Sequence, residues 1–172
     1  MQTLLESKPA THDYGTPLYA GCRMEKDDFL RWESDDNYVY EFNDGILEST
    51  IGMRQNESYL FTNLENQFIR TAIFQNGGRL RAELEIWLTP KQMRRPDVSF
   101  FTSDQIQQMH TGTAVVSNFV VEFGSESDSE LKSITKRHEY FDAGVQVVWW
   151  VFPTYKEVFV YTSPKTVTIC TD

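Results

Sequence analysis

Apolar and polar positions recur along this chain at two periods, near 3.6 and near 2, and the change from one to the other marks out the elements. From Met24, the run MEKDDFLRW sets Met24, Phe29 and Trp32 among charges, which predicts a short amphipathic helix ended by SDDN. NYVYEFNDGILEST then predicts a hairpin. Strands 38–42 and 46–50 flank Asn43-Asp44-Gly45, and Gly45 supplies the positive φ of a tight turn. Along the first strand Tyr38, Tyr40 and Phe42 share one face while Val39 and Glu41 share the other. Glu41 thus keeps apolar company, either as an edge effect or as an inward carboxylate that needs a partner.

Between about Asn56 and Gln75, Leu60, Phe61, Leu64, Phe68, Ile69, Ala72 and Ile73 return every three or four residues. They predict one long helix stopped at Asn76-Gly77-Gly78. RLRAELEIWL alternates without a break, with Leu80, Ala82, Leu84, Ile86 and Leu88 on one face, and predicts a half-buried strand. PDVSFF resumes as a strand after Pro90. SDQIQQM predicts a short helix with Ser103 as its N-cap, and the nearly continuous apolar run NFVVEF predicts a central strand. A helix follows over 129–143, with an expected core stripe of Leu131, Ile134, His138 and Phe141. VQVVWWVF, EVFVYT and TVTI close the chain as strands. The aromatic set Trp149, Trp150, Phe152, Phe159 and Tyr161 is expected in the sheet core rather than as a base-stacking platform. This order predicts a mixed α/β fold, one sheet flanked by helices.

Composition adds bounds. At 172 residues with 40% hydrophobic residues, the chain can bury one core, and we expect a single domain over 21–172 behind a flexible leader, 1–20. No apolar run reaches the roughly 18 residues that span a bilayer, so a soluble, cytoplasmic protein without a membrane partner is expected. Cys22 and Cys170 have no paired spacing, which argues against a zinc site and suits a reducing compartment. The net charge of −9 counts against nonspecific adhesion to polyanions. Positive charge nevertheless gathers at Arg79, Arg81, Lys91, Arg94 and Arg95 before Asp97, and at Lys132, Lys136 and Arg137 after Glu122. That pattern suits solvated faces and a phosphate-facing patch equally.

The candidate chemistry lies in those two stretches. Asp97 follows a proline at the start of one apolar run, Glu122 ends another, and Lys136 sits on the helix after it. Two carboxylates at neighbouring strand ends attract a hard divalent cation such as Mg²⁺, with Mn²⁺ as a substitute. Such an ion stabilises phosphoryl charge and acidifies a bound water, and a lysine beside it orients that water or offsets charge. No G-x-S-x-G elbow, P-loop or G-x-G-x-x-G is present to support a different chemistry.

RRPDVSFF, FVVEFGSES, Lys136 with Tyr140 four residues on, and AGVQVVWWVFP together resemble the Uma family of restriction-endonuclease-type proteins, within the PD-(D/E)XK nuclease superfamily. YEFNDGILE and MEKDDFL are similar to that family's N-terminal pattern, so the resemblance runs from about Met24 to Tyr161. It implies a restriction-endonuclease-like core, Asp97 and Glu122 as Mg²⁺ ligands, Glu41 as a third acidic member, a DNA substrate and a homodimer. The dimer contact is expected at the C-terminal strands. The pattern departs from (D/E)XK where Gly124 stands in the lysine position. Lys136 matches the lysine that the family supplies from the next helix, and Lys132, one turn earlier, competes with it. Asn56 stands where the family often has a histidine. These departures leave a second reading open, a nuclease-fold binding or accessory module linked to mobile DNA, and a third, hydrolysis of another phosphoester.

Overall fold

The computed structural model describes residues 15–124 and 129–171. Residues 1–14 of the expected leader therefore lie outside the described residues. Within 15–20, Tyr19 packs edge-on against Trp32 and Tyr40, with ring centroids 5.0 and 5.9 Å apart.

The chain begins with α1 (Lys26–Phe29) and the expected hairpin, β1 (Val39–Asn43) and β2 (Ile46–Thr50). Asp44 and Gly45 both take positive φ, 48° and 83°, as a two-residue hairpin turn requires. Next come α2 (Gln55–Phe68), α3 (Ala72–Gln75), β3 (Arg79–Ala82), β4 (Ile86–Thr89), β5 (Gln92–Arg94) and β6 (Val98–Phe101). The remainder is α4 (Ser103–His110), β7 (Phe119–Phe123), α5 (Glu130–Asp142), β8 (Val147–Phe152), β9 (Glu157–Ser163) and β10 (Thr166–Thr171).

A mixed six-stranded sheet, ordered β10-β9-β8-β7-β6-β3, forms the centre, and β7 and β8 are its parallel pair. Its strands alternate between two apolar faces. Val98, Val121 and Trp149 face α2, which lays Phe61, Leu64 and Phe68 on them. Phe101, Val120, Val148 and Trp150 face the other way, onto Tyr140 of α5 and Val145 behind it. The sheet flanked by helices is thus as expected, and so is the aromatic set, divided between the two faces.

A second sheet was not anticipated. Strands β2-β1-β5-β4 make an antiparallel four-stranded sheet whose core is Phe29, Tyr40, Phe42, Leu47 and Met93. It exists because the run 79–88 is two strands rather than one. The chain breaks at Glu83, which takes φ 50°, so that β3 pairs with β6 while β4 pairs with β5 in the other sheet. Apolar alternation continues across the break in phase, and periodicity alone carries no sign of it. The Glu83 carboxylate accepts a 2.6 Å hydrogen bond from the Met53 N–H, tying the break to the segment ahead of α2.

Two boundaries and the buried face of one helix also differ. The long helix stops at Phe68, and Thr71 then caps α3 by accepting from the Phe74 N–H. The N-cap of α4 is Thr102, not Ser103: its hydroxyl accepts from the Gln105 N–H, and the Gln105 side chain accepts from the Thr102 N–H. On α5, Leu131 and Ile134 are exposed, at 72% and 37%, while Tyr140 is buried. The helix is rotated from the hydrophobic stripe because its polar side chains find partners inside.

Candidate active site

The rotation of α5 brings the candidate residues together. Glu41 enters from the middle of β1, Asp97 stands just before β6, Glu122 lies near the end of β7, and Lys136 and Tyr140 are one turn apart on α5. Glu41, Asp97, Glu122 and Lys136 line a cleft of about 640 Å³, and Tyr140 is buried behind it. The ends of β6 and β7 converge because the two strands are adjacent in the central sheet, while the hairpin of the second sheet brings Glu41 to Lys136.

Lys136 is the hub. Its ammonium lies 3.1 Å from Glu122 Oε1 and 3.2 Å from Glu41 Oε1. Burial works against that charge, but Glu122 and then Glu41 outweigh it and hold the lysine protonated well above the ordinary range. Tyr140 donates its hydroxyl to Glu122 Oε1, and burial followed by the Glu122 charge pushes the phenol far up. Glu41 is buried, with Oε1 also accepting from the Arg95 N–H at 2.8 Å. Asp97 accepts from the Phe123 N–H at 2.6 Å.

The acids are under strain of charge. Burial, and then the facing Glu122, push the Asp97 carboxyl up to about 8. Burial also pushes Glu122 up, against the opposing pull of Lys136 and Tyr140. Asp97 and Glu122, oxygen donors on adjacent strands that open onto the cleft, are the residues that could hold a divalent cation retaining several waters, with Lys136 already beside Glu122. Among the described residues no three acidic, histidine or cysteine side chains already converge as a metal cage.

Several neighbours were missed as site residues. Arg94 is no metal ligand, although it sits within the RRPD run, and Glu139 lies on a helix position that the apolar stripe leaves outside. Tyr140 carried a signal, its position one turn after Lys136. Glu57, at the start of α2, lines the cleft and adds a smaller upward push on Asp97. Its neighbour Asn56 is exposed and does not line the cleft. Lys132 lines the cleft but makes no ion pair within 4 Å among the described residues. Of the two competing lysines, it is Lys136 that meets the acids. His138 is half-buried on α5 rather than part of the cleft lining.

The fold defined by these elements is restriction-endonuclease-like. A solved structure described as a "putative nuclease belonging to DUF820", from Anabaena variabilis ATCC 29413, superposes on it with a TM-score of 0.69. The match covers 85% of this chain and 83% of that one at 18% sequence identity. Residues 26–171 match the Uma2 family, described as "Putative restriction endonuclease", and the chain belongs to that family. No curated protein matches the chain. Among the described residues, no helix is long and apolar enough to cross a membrane.

Proposed function

We propose that the protein is a divalent-metal-dependent endonuclease that hydrolyses DNA phosphodiester bonds through a PD-(D/E)XK-type site. The observation that carries this reading is the Lys136 ammonium shared between Glu122 and Glu41, beside an Asp97 that burial and Glu122 hold short of charge. Asp97 and Glu122 would hold Mg²⁺ or Mn²⁺, with Glu41 assisting directly or through water. When bound, the ion supplies charge stabilisation at a phosphoryl oxygen and a more acidic water. Lys136 positions the attacking water and offsets charge as the phosphate becomes more anionic. Tyr140 fixes the Glu122 carboxylate through its hydroxyl, and the Arg95 N–H does the same for Glu41. Arg54 and Lys132, exposed side chains on the cleft lining, would receive flanking phosphates.

We further propose that residues 21–172 act as one unit and that the working form is a homodimer joined at β10. That strand is the edge of the central sheet, uncharged and exposed along its length, which supports pairing with a second copy.

The alternative is a nuclease-fold binding module. It is favoured by one observation, that the Lys136 ammonium already pairs with both Glu41 and Glu122 with no metal cage formed among the described residues. Purified parent protein, Asp97→Ala and Lys136→Ala are incubated with plasmid, linear and single-stranded DNA plus Mg²⁺ or Mn²⁺, and Mn²⁺ binding is followed by calorimetry. Cleavage by the parent alone, with Mn²⁺ binding lost in Asp97→Ala, supports the nuclease. A folded parent that neither cleaves nor binds Mn²⁺ supports the binding module.

A further inference from the structure

Glu41 and Glu48 stand directly opposite each other across β1 and β2, so two carboxylates face one another on the same side of the sheet. Like charges directly opposite destabilise a strand pair. Arg94 resolves the conflict. Antiparallel pairing of β1 with β5 sets Phe42 against Met93, so one step further the row across three strands reads Glu48, Glu41, Arg94. The Arg94 Nη1 donates to Glu41 Oε2 at 3.0 Å and to Glu48 Oε2 at 2.6 Å.

The same guanidinium also reaches across to α5. Its Nε donates to Glu139 Oε2 at 2.7 Å and its Nη2 to Glu139 Oε1 at 2.9 Å, a two-bond fork. Arg94 is 3% exposed, and the carboxylates around it hold it protonated above its ordinary range, although burial opposes them. One buried cation therefore ties the four-stranded sheet to the helix that carries Lys136 and Tyr140. Glu41 is divided by these contacts: Oε2 is taken by Arg94, which leaves Oε1 for the Arg95 N–H and Lys136. A lysine at position 94 would keep the charge but lacks the planar fork needed to hold Glu41 and Glu139 together.

We infer that Arg94 is a positioning residue, acting through Glu41 and Glu139 to set where the Lys136 ammonium stands in the cleft. Its catalytic consequence rests on the nuclease reading; its structural consequence does not. The RRPD run then works as one bracket. Arg94 aims Glu41 and anchors α5, the Arg95 N–H fixes the free oxygen of Glu41, and Asp97 faces Glu122.

The test compares parent, Arg94→Lys, Glu139→Gln and, as a control, Glu48→Gln, all checked for folding by near-ultraviolet circular dichroism. Each is exposed briefly to acetic anhydride, and acetylation of Lys136 relative to the exposed Lys156 and Lys165 is read by peptide mass spectrometry. Loss of charge-assisted bonds worth about 1.5–3 kcal/mol corresponds to roughly ten- to hundredfold. Lys136 labelling is therefore expected to rise about tenfold in Arg94→Lys and by at least a few fold in Glu139→Gln. Glu48→Gln, whose side chain meets Arg94 but makes no ion pair with Lys136 and keeps an oxygen that can accept from the guanidinium, should stay within about twofold of the parent. In cleavage assays Arg94→Lys should lose about a hundredfold in kcat with KM for DNA little changed, the cost of misplacing a reacting group. Unchanged Lys136 labelling in both folded variants overturns the inference. Raised labelling together with a parent inactive on every DNA substrate upholds the positioning and overturns the nuclease reading instead.

Discussion

Replacing Asp97 with asparagine should stabilise the metal-free protein, and by an amount that grows with pH. The Asp97 carboxyl is raised from an ordinary 3.8 to about 8 by burial and by Glu122. A group raised in this way stays protonated in the folded chain after the unfolded chain has ionised, so stability falls as pH climbs from about 4 towards 8. Each pH unit in that window is worth about 1.4 kcal/mol. At pH 7 a little over three such units have been crossed, giving about 4 kcal/mol as an upper bound, and relaxation around buried charge reduces it to about 2–4 kcal/mol. Asparagine does not ionise, and its side-chain oxygen can still accept from the Phe123 N–H, so the variant escapes the loss. The assay is urea unfolding in EDTA from pH 5.5 to 8.5, followed by fluorescence of the four tryptophans. The advantage of Asp97→Asn should rise with a slope approaching 1.4 kcal/mol per pH unit, then level above pH 8. Saturating Mg²⁺ should reverse the order, because an ion held by Asp97 and Glu122 stabilises only the parent. An advantage that is absent or flat with pH would refute the reasoning that Asp97 is held neutral by its surroundings.

Two other substitutions probe separate parts of the structure. Tyr140→Phe removes the hydroxyl that Glu122 accepts from and leaves a buried carboxylate one donor short; it should cost about 1–3 kcal/mol in urea unfolding and lower cleavage without changing DNA affinity. Ile169→Lys places a charge on the exposed β10 edge and should convert the proposed dimer to monomer in sedimentation velocity with the melting temperature almost unchanged. A parent that already sediments as a monomer at micromolar concentration would remove β10 as the contact.

How far the fold could be read from sequence depended on whether a feature was local. The β1–β2 hairpin was legible because Asn43-Asp44-Gly45 allows one turn geometry, and φ at Asp44 and Gly45 is positive as that turn demands. β7 was legible from its apolar run, since a strand covered on both faces needs no polar side. The division of residues 79–88 between two sheets was not legible. Leu80, Ile86 and Leu88 are all buried, as the alternation predicts, but in surroundings that only long-range pairing with β6 and β5 decides. Glu83 holds the unusual backbone at the break, and its side-chain bond to Met53 spans thirty residues.

The candidate site shows the same division, with a chemical reason added. Hydrophobic periodicity scores Leu131 and Ile134 as the inner face of α5, yet both are exposed while Lys136, Glu139 and Tyr140 point inward. A buried ammonium is costly by itself and becomes acceptable only beside carboxylates brought by other strands. The rule that mispredicted the helix face therefore fails where charge is buried, and such a failure singles out the candidate site more sharply than agreement would. Arg94 supports that view from the opposite direction. Three carboxylates from β1, β2 and α5 surround one guanidinium, an arrangement that apolar side chains of similar volume could replace without loss of stability. What apolar packing could not reproduce is the division of the Glu41 oxygens, one held on Arg94 and the other left facing Lys136.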